Sequence, residues 1–342
     1  MNASIRALRE DMGWSQQHLA DRAGLSRQLV SAVEAGRHAP NVHAGLALAR
    51  ALGVTAEDLF AAPRPNVVPM FGEVFAPNGS QACVTQVGNQ LVVAGIEHGV
   101  ANSEQWMLSD AAIHNGNIDL LDAAIIDGLL VSGCDPAAGM LAALVGRMSS
   151  HRVVTVHAST ARSIAALEAG RVHAVLVHAQ SGHLPVPPVA ARRFHVARWQ
   201  VGIASGRAKG VPSIDELAER RHSTVQREAG AGSQQALHRA LQRVGAQPAL
   251  PGPIGEGHID VARRVAAGAT AGVTMESAAR AFALGFSPLE EHTVELWLDQ
   301  QWSSLPAAIA LIEALTSRAL QSRLELVGGY DLSGCGVEQR AS

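Results

Sequence analysis

The amino-acid sequence predicts an all-α domain at the N-terminus, an α/β domain over most of the remainder, and a small β-containing connector between them. Three observations carry this. Residues 1–62 are a succession of short amphipathic segments opened by Ser and closed by Gly. A break, "AAPRPNVVP", follows, with prolines at 63, 65 and 69. From residue 128 to about 334, strand-like and helix-like segments alternate, the pattern of parallel sheets covered by helices.

Taken in order, Ile5, Leu8 and Met12 share the apolar face of a first helix. "SQQHLADRAG" starts a second, with Ser15 as N-cap and Gly24 just past its end. "LSRQLVSAVEAGR" is the third, capped by Ser26 and stopped by Gly36, and "NVHAGLALARALG" and "TAEDLF" complete five helices. Residues 63–127 form the linker and connector, in which "QACVTQVGNQLVVAGI" alternates in polarity about Gly88-Asn89 and predicts a hairpin. In the α/β domain, strands "GLLVSG", "VVTVHA", "AVLVHA", "STVQR" and "TAGVT" separate helices at 137–148, 160–169, 214–221, 233–244, 258–267 and 275–284, with a final helical stretch from about Leu305. Two long extended runs, near 194–204 and 286–298, suit crossings between two lobes, and residues 335–342 read as a tail.

Composition sets outer limits. A chain of 342 residues with 47% hydrophobic and 17% charged residues has the material for more than one core. Its net charge of −3 excludes coating nucleic acid by bulk charge, but not a small DNA-reading module with local arginines. Cys83, Cys134 and Cys335 form neither a CxxC pair nor a disulfide framework, which suits a reducing cytosol. The first residues form a charged helix and not a signal peptide, and Asp127, Asp135 and Pro136 break the longest apolar stretch. The expected location is cytoplasmic, with no membrane partner.

Residues 15–37, "SQQHLADRAGLSRQLVSAVEAGR", have the layout of two helices joined by a tight turn. Leu19, Ala20 and Ala23 bury one helix, Leu25 fills the turn, and Val30 and Val33 bury the other. Arg27, Gln28 and Ser31 are left facing outward at the start of the second helix, where Arg and Gln can reach guanine and adenine edges in a major groove. Gln16, Gln17 and Arg37 are placed for phosphate contacts, while Glu34 reads as structural because a carboxylate would repel phosphate. These residues, with "LARALGVTAEDLF", resemble the Xre-type, lambda-repressor-like helix-turn-helix domain, which implies binding to double-stranded DNA.

"QREAGAGSQQALHRALQRVG" is a strand end, a glycine turn and a helix. Gly230 and Gly232 allow a tight turn, Ser233 offers a hydroxyl, and the helix N-terminus presents N–H groups suited to an anion. Other strand-to-helix turns offer Ser132, Gly133 and Asp135; Ser159 and Thr160; and Thr274, Glu276 and Ser277. Arg227 and His178 stand near the ends of their strands. Such turns gather at the carboxyl ends of strands, where α/β sheets bind ligands. Each turn by itself is commonly a structural cap.

Those segments, together with "SGCDPAAGMLAAL", "STARSIAALEAGRVHAVLVH", "RWQVGIASGRAKGVPSIDELAER", "GHIDVARRVAAGATAGVTMESAARAF" and "GGYDLSG", resemble the two-lobed, type II periplasmic-binding-protein-like domain of bacterial cytoplasmic regulators. The match covers about residues 128–334. It implies a fold similar to molybdate-binding transport proteins, and a sensor of molybdate, tungstate or a related oxyanion. A small organic or molybdenum-cofactor-related compound is the alternative ligand, and a ligand-free dimerising DNA-binding scaffold the alternative role. Relatives often carry Thr-Arg where this chain has Ser233-Gln234, which removes a positive charge.

Among 15 histidines, His173, His178 and His183 recur every five residues, a spacing that makes no metal site by itself. His157 and His178 are expected to face the cleft together, and Trp199 and Trp297 to pack at the lobe crossings. No cofactor, metal site or catalytic signature is expected. The expected assembly is a homodimer, since one such helical module contacts too little DNA for tight, specific binding.

Overall fold

Serine and asparagine side chains start the central helices of the first unit. Ser15 accepts from the His18 N–H, Ser26 from Leu29 and Asn41 from Ala44, and each such cap is worth about 1 kcal/mol. The computed structural model describes residues 5–60, 66–72, 77–96, 108–114, 117–206, 210–220, 223–246 and 250–339. It divides into two units, Met1–Asn66 and Val67–Ser342.

In the first unit, helices α1 (Ile5–Asp11), α2 (Gln16–Ala23), α3 (Arg27–Glu34), α4 (Val42–Leu52) and α5 (Ala56–Phe60) follow one another. Ile5, Leu19, Ala20, Val30, Leu48 and Leu52 form the core, with Leu25 and Val33 packed against it. Gly24 takes a left-handed conformation at φ 65° and ends α2. Met12 departs from its expected place on the first helix face. The helix ends at Asp11, the chain turns through Gly13 at φ 68°, and Met12 is 42% exposed.

The second unit holds two sheets. The smaller has the order β1-β3-β2-β4-β5, from strands β1 (Asn66–Pro69), β2 (Gln81–Val87), β3 (Gln90–Gly95), β4 (Ala111–His114) and β5 (Asn117–Leu120). The hairpin turns at Gly88-Asn89, pairing Val87 with Gln90. Alternate residues of β3 serve two cores. Leu91 and Val93 pack with Val84, Ala111 and Ile113, while Val92 and Ala94 pack with Met70, Leu130, Val154 and Trp297 of the larger domain. The expected connector is therefore joined to the α/β domain by a shared core.

The larger sheet has the order β10-β11-β9-β12-β8-β6-β7. Its strands are β6 (Leu129–Gly133), β7 (Val153–His157), β8 (Ala174–Gln180), β9 (Ala191–Ser205), β10 (Thr224–Val225), β11 (Ala271–Met275) and β12 (Gly285–Asp299). Strands β6, β7 and β8 are parallel, as are β10 and β11. The two long strands run antiparallel to each other and to their neighbours. The sheet is thus mixed where a parallel one was expected. An outgoing and a returning crossing strand pair directly and need no crossover helix.

These strands define the lobes. β12 pairs with β8 from His292 to Leu298, and β9 pairs with β11 from Val201 to Ala204. One lobe therefore uses β6, β7, β8 and one half of each long strand, and the other uses β10, β11 and the remaining halves. Helices α6 (Ala137–Met148), α7 (Thr160–Glu168), α8 (Ile214–Arg220), α9 (Gly232–Arg243), α10 (His258–Ala266), α11 (Glu276–Ala281), α12 (Pro306–Thr316) and α13 (Arg318–Val327) accompany the strands. The expected tail contains a short strand, in which Glu338 and Gln339 pair with Phe194 and Arg193 of β9. Among the described residues, no helix is long and apolar enough to cross a membrane.

Candidate functional sites

In the first unit, α3 presents Arg27 and Gln28 exposed at its first turn, with Ser31 one turn on. Gln16, Arg27, Gln28, Ser31, Ala32 and Arg37 line one concavity of about 440 Å³. Gln17 is exposed outside that group and donates to Asp21 at 2.8 Å. Glu34 accepts from Arg9 Nε at 2.6 Å and from Gln16 Nε2 at 2.9 Å. Burial works to raise its pKa, but the hydrogen bonds from Arg9 and Gln16 outweigh it and hold the carboxyl below the usual range. Glu34 thus ties α3 to α1 and α2 and fixes the angle at which the outward residues stand.

In the second unit, the carboxyl ends of strands from both lobes converge. Gly133 ends β6 and Cys134 follows it, His157 ends β7, His178 lies in β8, and Arg227 follows β10. The N-termini of α7, α9 and α10 open here at Ser159, Ala231 and Gly257, and none of the three carries a side-chain cap hydrogen bond. The lobes touch through glycines. A Cβ on Gly230 would stand 3.7 Å from Ala161 Cβ, and one on Gly257 would stand 2.9 Å from His157 Nε2. The approach at Gly230 would tolerate a Cβ, whereas one at Gly257 would require the His157 ring to shift.

Arg227 is 2% exposed, and its Nε, Nη1 and Nη2 have no hydrogen-bond partner among the described residues. Its ion contact, with Glu228 at 3.4 Å, lacks hydrogen-bond geometry. Ser233 Oγ and His258 Nε2 are likewise buried without a hydrogen-bond partner. Burial of such groups costs free energy unless something pairs with them. The loop that carries Arg227 is nevertheless well held. Its N–H donates to Gln234 Oε1 at 2.9 Å, and Gln234 Nε2 donates to Gln226 Oε1 at 3.0 Å. Gln234 is a clasp on the loop's backbone.

A cluster of rings lies beside this group. His178 stands 4.7 Å from Trp199, 5.0 Å from His292 and 5.8 Å from His258, centroid to centroid. His178 Nε2 meets Cys134 Sγ at 2.8 Å, His178 Nδ1 meets His292 Nδ1 at 2.8 Å, and His292 Nε2 meets Glu290 Oε1 at 2.8 Å. Arg239 completes the chain with a bidentate pair to Glu290. Burial, then the charge of His292 for His178 and of Arg227 for His258, pushes both pKa values well below the ordinary range. Burial pushes the Cys134 thiol up to about 12. Both imidazoles and the thiol are therefore neutral at neutral pH.

Other expected ligand residues are engaged within the protein. Ser132 Oγ lies 2.8 Å from Ser163 Oγ. Thr160 Oγ1 donates to the His178 carbonyl at 3.2 Å and accepts from its N–H at 3.1 Å. Asp135 accepts from the Ala137 N–H, Tyr330 Oη and Trp199 Nε1, each within 2.9 Å, so it orients Trp199 instead of facing a ligand. A Cβ on Gly133 would strike Leu176 at 2.6 Å, a packing constraint. Glu276 pairs with Arg280 at 2.7 Å and lines a different concavity with Gln200, Phe286 and Pro288. Ser277 is buried.

Of the expected set, the structure thus gathers His178, Arg227 and Gly232, with Ser159 and Ser233 at the two helix starts, and sets Glu276 elsewhere. His157 is exposed beside Gly257, and His173 accepts from the Leu130 N–H at 2.9 Å in the core. Trp199 joins the ring cluster, whereas Trp297 donates to Glu295. Sequence reasoning missed Cys134, His258, His292 and Glu290. The available signal was His258 at a helix start directly after a glycine.

The family described as a PBP superfamily domain matches residues 141–316, just over half of the chain. The chain belongs to this superfamily. Residues 5–59 match the helix-turn-helix family. Over 61 residues, 18% of this chain, the protein is 41% identical to an uncharacterised HTH-type transcriptional regulator of Methanothermobacter thermautotrophicus, covering 88% of that relative. It is 33% identical over 60 residues to the HTH-type regulator YgzD of Bacillus subtilis, covering 91% of that protein and 18% of this one. Among solved structures, it is similar to a phosphate-bound substrate-binding protein assigned to a phosphate ABC transporter of Clostridium perfringens. There the TM-score is 0.47 at 11% identity, over 60% of this chain and 99% of the other. This PBP superfamily member is a helix-turn-helix transcriptional regulator carrying a PBP-like ligand-binding domain.

Proposed function

We propose that this regulator senses a small anion between the lobes of its PBP-like domain and reports occupancy through the DNA-binding unit. The observation that carries the reading is Arg227, a buried guanidinium with no hydrogen-bond acceptor on any nitrogen among the described residues. A planar, permanently charged donor of this kind suits an oxyanion. Ser233 Oγ and the starts of α7, α9 and α10 supply further donors. Molybdate or tungstate is the leading class, since a fully deprotonated dianion needs donors only. Carboxylates of small organic compounds are the second, because the rings of Trp199 and His292 stack beside the site.

Arg27, Gln28 and Ser31 read base edges in this account, with Gln16 and Arg37 on phosphates and Gln17 at the flank. The protein acts as a homodimer on paired half-sites, spaced about 34–36 Å apart. An anion that favours the closed lobes shifts DNA affinity only by its differential affinity for the closed and open forms. The test is calorimetric titration of the full-length protein with molybdate, tungstate, sulfate, phosphate and small organic acids, followed by DNA-binding assays with and without the tightest of them. A ligand that binds without altering DNA affinity contradicts the sensor reading.

A further inference from the structure

We propose that Cys134, His178 and His258 form a buried metal site for a thiophilic monovalent cation, Cu(I), beside the anion site. The three ligand atoms all lie within 4.8 Å of one another, and all three residues are buried. This proposal does not rest on the anion reading. That reading uses N–H and O–H donors, whereas this one uses lone pairs.

The hydrogen-bond chain has a tautomer arrangement that points those lone pairs into the cluster. Glu290 is ionised, because its bonds from His292 and Arg239 outweigh burial and hold it down at about 2. It therefore accepts from His292 Nε2–H. His178 Nδ1 and His292 Nδ1 lie 2.8 Å apart, and where His178 donates this bond its own lone pair falls on Nε2. That lone pair is aimed at Cys134 Sγ, so the thiol donates to it at 2.8 Å. His178 is thereby held through its second ring nitrogen by His292, which Glu290 holds in turn, and a partner on the second nitrogen is the support that metal-ligating histidines have. His258 Nε2, buried without a hydrogen-bond partner among the described residues, is the third ligand atom.

The cation takes the place of the thiol proton. Cys134–SH and Cu(I) give Cys134–S–Cu and one proton, which passes to solvent, with no change in oxidation state. With metal bonds of about 2.3 Å to sulfur and 2.0 Å to nitrogen in a trigonal plane, sulfur and nitrogen stand about 3.7 Å apart. The present 2.8 Å contact must then open by roughly 1 Å. Charge and ligand number select the ion. A Cu(I)–thiolate unit is neutral beside the buried Arg227 guanidinium, while Zn(II) would leave a net charge and favours a fourth ligand.

The experiment is anaerobic titration of the reduced full-length protein with Cu(I) against a chromophoric Cu(I) chelator, in a Cys83→Ser/Cys335→Ser background that removes the other thiols. One Cu(I) per chain with release of about one proton is expected. Cys134→Ser and His258→Gln should abolish tight binding, and Glu290→Gln should weaken it roughly 10- to 100-fold by loosening the relay. Arg227→Met should retain Cu(I) while losing the anion, which separates failure of one site from failure of the other. Circular dichroism confirms that each variant is folded. The proposal is overturned if the background protein takes up no Cu(I), if a folded Cys134→Ser binds as tightly, or if Zn(II) displaces Cu(I) at equal concentration.

Discussion

The backbone N–H of Arg227 donates to Oε1 of Gln234 at 2.9 Å, so the first turn of α9 holds the loop that buries the guanidinium. Gln234 thus serves to hold the loop that carries the Arg227 charge. Gln234→Ala should remove this hydrogen bond and the one to Gln226, at about 1 kcal/mol each. Denaturant unfolding should register a loss of stability, and anion titration a weaker affinity. Unchanged values in both would show that the clasp is idle.

A tighter steric constraint operates at Gly232. A Cβ there would meet His178 Cε1 at 3.0 Å, and His178 Nδ1 and His292 Cε1 at 3.3 Å. Gly232→Ala should displace the paired imidazoles and cost about 1–3 kcal/mol, the range for overpacking. Histidine ring resonances should shift in NMR spectra, and spectra that leave both rings unmoved would contradict this.

The expected DNA-reading surface makes a prediction separable from folding. Arg27 is exposed and Ser26 caps α3. Arg27→Ala should cost about 1–3 kcal/mol of affinity on a selected site, as for loss of a guanine contact. Its unfolding midpoint should stay at the wild-type value. Ser26→Ala should instead lower stability by about 1 kcal/mol. An Arg27→Ala variant with wild-type affinity and footprint would remove Arg27 from the interface.

Stability should fall on acidification. Burial holds the folded pKa values of His178 and His258 below their unfolded values. Their contribution is therefore complete above the unfolded histidine pKa of about 6.5 and declines as pH drops below it, because the unfolded chain takes up protons first. His258→Gln should flatten the slope of unfolding free energy between about pH 7 and 5. A slope unchanged by this substitution would mean that His258 does not contribute to the linkage.

Local chemistry explains what was legible in the sequence. Ser15, Ser26 and Gly24 mark their helices within a few residues, and the glycines and serine from Gly230 to Ser233 mark the turn into α9. The long strands showed as extended runs, but alternation of elements carries no strand direction, so the mixed sheet was hidden. The relay was hidden for a related reason. Cys134, His178, His258 and His292 come together only through contacts between segments far apart in the sequence, for example the pairing of His292 with Gln180 on β8 and with Trp199 on β9. Asp135 misled because its partner Tyr330 is 195 residues away. Arg227 was visible as a residue, but its burial without an acceptor was not.

That burial is the central claim, and one comparison tests it most directly. Arg227 is buried with no hydrogen bond on its guanidinium, and its ion contact, Glu228, is 38% exposed, so an apolar side chain in its place leaves no buried charge behind. Full-length wild type and Arg227→Met should be unfolded with and without molybdate, tungstate, sulfate and phosphate. The account predicts that Arg227→Met is the more stable protein without anion, while at least one anion stabilises wild type and leaves the variant unmoved. A variant less stable than wild type, stabilised equally by the same anions, would contradict it.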